Sequence, residues 1–155
     1  MFDVPVDAWY TWLGLSLASV VLLGVGTALP TTPPPAAADV ADTVDRAAAS
    51  TSSLTAEHPL DARELRVEPN RLGLRNDAGT THATFAFGPV TPADGNQALL
   101  AVLRGAPPSS RFDSAVGLCA AAGAARDRSA RWQSVDGPLL VRHVVWEGCD
   151  VTLVA

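Results

Sequence analysis

A chain of 155 residues with eleven basic residues, all of them arginine, and sixteen acidic ones carries a net charge of −5. One modest domain and a linker fit that length, and no basic surface large enough to neutralise a run of phosphates is evident, which argues against a nucleic-acid partner. The absence of lysine excludes a Walker A loop, no GxGxxG opens a helix after a strand, and an Asp-to-Glu ratio of twelve to four in an Ala- and Val-rich chain points to a GC-rich halophile, where molar salt screens carboxylates over about 3 Å.

Residues 1–8 form a short acidic tail with Asp3 and Asp7. From Trp9 to Leu29 there is no charged residue, and at about 1.5 Å per residue that run reaches roughly 30 Å, the thickness of a bilayer's hydrocarbon core. Its leucines and valines leave no polar face, Trp9, Tyr10 and Trp12 cluster at one end where aromatic rings suit a headgroup boundary, and Pro30 and Pro33 to Pro35 end the helix at the other. The sequence therefore predicts a transmembrane helix over 9–29, marked by Trp9, Leu15, Val21 and Leu29. A cleaved signal peptide would need a basic start and a shorter apolar run; only Ala36 to Ala38 suits cleavage. Gly14 with Ala18, and Gly24 with Ala28, have the small-residue spacing of close helix pairs, a pattern common by chance.

Residues 30–56 read as a Pro-rich spacer and an amphipathic helix. "PTTPPP" favours extended polyproline conformation. Ala37, Val40, Ala41, Val44 and Ala48 recur at helical spacing with Asp39, Asp42 and Asp45 on the other side, a solvated face rather than a cation loop, since the glycine turn and terminal glutamate of an EF-hand are missing. "STSSLTAEHP" reads as a polar break, with Pro59 opening the main fold.

Residues 57–155 are expected to form a small α+β domain, an antiparallel sheet covered by helices. A short strand from Glu64, a strand over Leu72 to Arg75, a turn at "NDAG" with Gly79 supplying a positive φ, and a strand over Thr80 to Phe87 follow from period-two patterning, with Ala83, Phe85 and Phe87 on one face. Thr91 as N-cap, Pro92 in the first turn and Gly105 as the stop predict a helix buried through Leu99, Leu100 and Leu103. A second helix follows with a serine cap and Phe112, Val116, Cys119 and Ala120 at helical spacing. Two β-branched runs, Leu139 to Trp146 and Cys149 to Val154, broken at "EG", predict a closing hairpin.

No residue is assigned a catalytic, cofactor-binding or metal-binding role, and no cofactor is expected. His58, His82 and His143 lie far apart with no HExxH or HxH pairing, and there is no GxSxG elbow. A hidden site could join His82 and His143 with Asp150 or Glu147; ordinary strand positions are the simpler reading. Arg126, Arg128 and Arg131 beside Trp132 are the densest basic cluster, suited to anionic lipid, to an acidic partner, or simply to a helix C-terminus. Cys119 and Cys149 form no CxxC pair. Outside the cell a disulfide between them would stabilise the domain by about 3–4 kcal/mol; inside, two buried thiols are expected.

"FDVPVDAWYTWLGL" together with "RLGLRNDAGTTHATFAFGPVTP" resembles an uncharacterised family of haloarchaeal single-pass membrane proteins, a domain of unknown function. The resemblance spans nearly the whole chain and implies a haloarchaeal source and a membrane location. Related families are similar to components of type IV pilus-like systems, although this chain lacks the basic leader and cleavage site of a pilin. The expected function is a membrane-anchored, non-enzymatic extracytoplasmic interaction domain, accessory to a pilus-like or secretion complex, with the lipid bilayer and membrane or surface proteins as partners. The alternatives are an anchored enzyme of unrecognised type and a ligand-sensing module. The acidic tail has no basic residue to hold it inside, and its crossing would leave the domain in the cytoplasm; the spacer, a disulfide and the pilin-like plan favour the domain outside, on the cell membrane's outer face.

Overall fold

The computed structural model describes residues 6–28 and 32–155, and within the first helix it places side chains over residues 9–22. The chain forms two compact units, Met1–Pro33 and Pro34–Ala155.

The first unit holds helix α1, Val6–Ala28. Its described apolar side chains, over residues 9–22, are exposed, Trp9, Leu15 and Leu22 at 70%, 62% and 73%. The hydroxyls of Ser16 and Ser19 donate to the carbonyls of Trp12 and Leu15, at 2.8 Å each, so these polar groups are satisfied within the helix. Among the described residues no helix is long and apolar enough to cross a membrane. The stretch with placed side chains, Trp9 to Leu22, covers roughly 21 Å at about 1.5 Å per residue, short of a hydrocarbon core of about 30 Å. Of the expected span, Trp9, Leu15 and Val21 lie on α1, while Leu29 falls outside the described residues, as does the tail over 1–5.

The second unit runs α2 (Ala37–Ala48), β1 (Leu54–His58), β2 (Glu64–Glu68), β3 (Arg71–Asn76), β4 (Gly79–Thr84), β5 (Thr91–Pro92), α3 (Gln97–Leu103), α4 (Ala115–Arg126), β6 (Gln133–Ser134), β7 (Leu139–Trp146) and β8 (Cys149–Val154). The class is α+β, as expected, but there are two four-stranded sheets rather than one. The first has the order β1-β7-β8-β5 and the second β4-β3-β2-β6. All pairings are antiparallel except β5 with β8.

The two central strands of the first sheet are buried on both faces, which explains the nearly unbroken apolar runs of β7 and β8. Leu139 and Val141 pack with Val40 and Val44 of α2 and with Leu65, Leu72 and Leu74 of the second sheet. Val144, Val151 and Leu153 face the other way, against Leu99 and Val102 of α3 and Leu118 and Ala122 of α4. A disulfide between Cys119 on α4 and Cys149 on β8 ties this second core together. Arg142, on the same face, donates from Nη1 to the carbonyls of Val102 and of Ala106, the latter at 3.1 Å, and so closes the C-terminal end of α3 from the sheet side.

Four local expectations are corrected. The "STSSLTAEHP" break contains β1, whose Leu54 lies opposite His143; its pairing partner is too distant in sequence to show in local patterning. Thr91 and Pro92 are not the start of a helix: they form β5, paired in parallel with Leu153 and Val154, and α3 starts at Gln97 with Asn96 as its cap, the amide oxygen accepting from Ala98 and Leu99. On α4 the buried face is Ala115, Leu118, Ala122 and Ala125, while Val116 is 78% exposed. The strand expected to reach Phe87 stops at Thr84, because the N–H groups of Ala86 and Phe87 are taken by the carboxylate of Asp45 on α2, at 3.0 Å each. Phe85 is thereby buried and Phe87 is left out in solvent.

Candidate functional site

Alternation places Leu65 and Val67 of β2, and Leu72 and Leu74 of β3, in the core. The same alternation puts Glu64, Arg66, Glu68, Arg71, Gly73 and Arg75 on the opposite face. Gly73 lies between Arg66 of β2 and His82 of β4 in register. Trp132, on the segment leading into β6, covers that gap: a Cβ added at Gly73 would stand 2.9 Å from the tip of the indole. Arg75 stacks its guanidinium 4.2 Å from the indole centroid, and His82 meets the ring edge-on at 6.2 Å between centroids.

Carboxylates order the arginines of this face. Glu64 accepts from Arg75 at 3.0 Å, and Glu68 accepts from Arg71 through both oxygens, at 2.6 and 3.1 Å, and forms an ion pair with Arg66 at 2.9 Å. The hydrogen bonds from Arg71 hold the Glu68 carboxyl below the usual glutamate range; burial opposes them, and the charge of Arg66 adds a smaller lowering effect. Arg66 Nε is buried without a hydrogen-bond partner, and its neighbours give no physical account of why.

Beside this platform, between the C-terminal end of α4, the β5–α3 connection and the start of β6, lies a cleft of about 460 Å³. Val67 and Pro92 line it together with Asp94, Arg128, Arg131 and Trp132. Arg128 rests on Gly95, where φ is +75° and a Cβ would meet its guanidinium at 2.6 Å. Asp94 is engaged by the side-chain amide of Gln133. Arg126, by contrast, turns away and donates from Nε to Thr91 Oγ1 at 3.0 Å. Of the basic cluster singled out in the sequence, then, Arg128 and Arg131 reach the cleft with Trp132, and Arg126 serves the fold.

The histidines are not gathered. His82 sits on β4 of the second sheet against Trp132, whereas His143 is buried on β7 of the first. His143 Nδ1 lies 3.1 Å from Thr152 Oγ1, and Nε2 lies 3.4 Å from the Asp150 carboxylate without a hydrogen bond, an ion pair only when the ring is protonated. Glu147 belongs to the β7–β8 turn, with φ 45°. His58 Nδ1 is 2.9 Å from Thr43 Oγ1, which also accepts from Arg46. Among the described residues no group of three or more His, Cys, Asp or Glu side chains could hold a metal ion.

Sequence reading missed the Trp132 platform. Its signal was Gly73, a glycine inside a strand between two arginines, which marks a place where another group approaches the backbone closely.

The fold and the site define a disulfide-closed, two-sheet α+β module with an arginine-lined, partly aromatic cleft. The chain belongs to a family of unknown function (DUF7283), which matches it over residues 3–144. No curated protein and no solved structure matches it significantly. The family description names neither a source organism nor a pilus-like assembly.

Proposed function

We propose that this chain is a membrane-anchored, non-enzymatic interaction domain, with α1 as the anchor and the Pro34–Ala155 unit presented on the outer side of a cell membrane. The observation that carries the reading is α1 itself, whose described apolar side chains are exposed all round. Burial of each Leu or Val is worth about 1.5–3 kcal/mol, so such a surface needs lipid or a partner. The sequence continues uncharged to Leu29, which extends the apolar run to roughly 30 Å.

The disulfide supports the outer location, since such bonds persist in oxidising compartments. The non-enzymatic reading is supported by the separate employment of His82, against Trp132, and His143, buried in the first sheet. The accessory role in a pilus-like or secretion complex of a halophilic archaeon rests on the sequence resemblance and on the plan of an apolar helix followed by an α+β head.

Alkaline carbonate extraction of membranes holding the full-length chain tests the anchor. The chain is expected to stay with the bilayer; release into the supernatant would overturn the anchor. A ligand-sensing module is the second reading, favoured by the 460 Å³ cleft, and it predicts a raised unfolding midpoint with a small molecule bound there.

A further inference from the structure

We infer that the cleft beside Trp132 binds an acidic peptide segment of a partner protein, through carboxylates paired with Arg128 and Arg131. The inference rests on the interaction-domain reading and names the partner's chemistry.

The chain's cations are mostly committed. Seven of its eleven arginines have acceptors within the fold: Arg63, Arg66, Arg71 and Arg75 on carboxylates, and Arg46, Arg126 and Arg142 on hydroxyls or carbonyls. Two of the other four, Arg128 and Arg131, line this cleft, and neither guanidinium has a hydrogen-bond or ion-pair partner among the described residues. Guanidinium forks are shaped to receive carboxylates through two parallel hydrogen bonds.

The rest of the lining selects among anions. Two cations set against Asp94 give the cleft too little net charge for a nucleic-acid backbone, which needs many phosphates neutralised. Two arginines at a recess likewise fall short of the polybasic face that an anionic lipid surface requires. Val67, Pro92 and the Trp132 ring add apolar wall beside the cations, which matches a segment that alternates acidic and apolar side chains. Asp94 sets a penalty on anion binding that its substitution should relieve.

The test is fluorescence anisotropy of the full-length chain in neutral detergent with a labelled, end-blocked octapeptide alternating Glu and Leu. Its Gln counterpart, inorganic phosphate and phosphatidylglycerol vesicles serve as the other probes. The acidic peptide should bind, the Gln peptide at least tenfold more weakly. The R128A/R131A double variant should lose at least tenfold in affinity while keeping its unfolding midpoint. Asp94→Asn should bind about threefold more tightly, a gain that a misfolded protein would not produce. Equal binding of the Gln peptide, indifference to the arginine or Asp94 changes, competition by phosphate or vesicles as strong as by peptide, or no peptide binding at all would each overturn the inference. Carbonate extraction decides the anchor separately, so failure of one is distinguishable from failure of the other.

Discussion

Trp132 occupies the space that a side chain at Gly73 would need, with the indole tip 2.9 Å from the position of an added Cβ. His82 stands almost as near, at 3.0 Å, but it is exposed on the sheet face and can turn outward, so the indole is the obstacle that cannot yield. Gly73→Ala is expected to destabilise the domain by about 1–3 kcal/mol, the usual range for overpacking. Chemical denaturation measures it. In a Trp132→Ala background the same change should be close to neutral, and equal costs in both backgrounds would show that the indole is not the obstacle.

Asp45 looks like one of three solvated aspartates on α2, yet its carboxylate receives the N–H groups of Ala86 and Phe87. Asp45→Ala should cost about 1–2 kcal/mol, since hydrogen bonds to a charged acceptor are strong but these amides can find water instead. Hydrogen exchange gives the sharper reading. The amides of Ala86 and Phe87 should lose protection while those of β3 and β4 keep theirs, and unchanged exchange at residues 86 and 87 would refute the clasp.

Reduction of the Cys119–Cys149 bond releases a loop of sequence separation 30. On the chain-entropy account the loss is about 3–4 kcal/mol, which for a domain of this size lowers the unfolding midpoint by roughly 10–15 °C. Calorimetry with and without reductant checks it. An unchanged midpoint would mean that the bond contributes nothing to stability.

Glu68 predicts a pH dependence. Its folded-state pKa lies below the usual value of 4.5 because Arg71 and Arg66 stabilise the carboxylate. The unfolded chain therefore takes up this proton first, so the stabilisation is full above pH 4.5 and is lost as the pH falls through the lowered folded value. For a partly exposed pair the size is about 0.5–1 kcal/mol. Glu68→Gln should flatten this portion of the acid limb, and denaturation midpoints between pH 6 and pH 3 that keep their slope in the variant would contradict the assignment.

What could be read from the sequence was local. The helical spacing of Val40, Ala41 and Val44 is the buried face of α2, and "NDAG" is the β3–β4 turn, where Asn76 accepts from Ala78 and Gly79 has φ +147°. The runs on either side of "EG" are β7 and β8 to the residue. What escaped was pairing at long range. Thr91-Pro92 carries a strong local helix signal, but its backbone is claimed by Leu153 and Val154 and its hydroxyl by Arg126. Likewise Trp132 announces nothing by itself; its role comes from Gly73, Arg75 and His82, strand positions more than 45 residues earlier.

The central claim, a disulfide-closed module outside the membrane on an apolar helix, is tested most directly at Cys119 and Cys149. Intact cells would be treated with a membrane-impermeant maleimide before and after an impermeant reductant, with denatured lysate as control. Labelling that appears only after reduction is the predicted result. Free thiols that label in denatured lysate without reductant, while staying unlabelled in intact cells whose domain is protected from added protease, would contradict it.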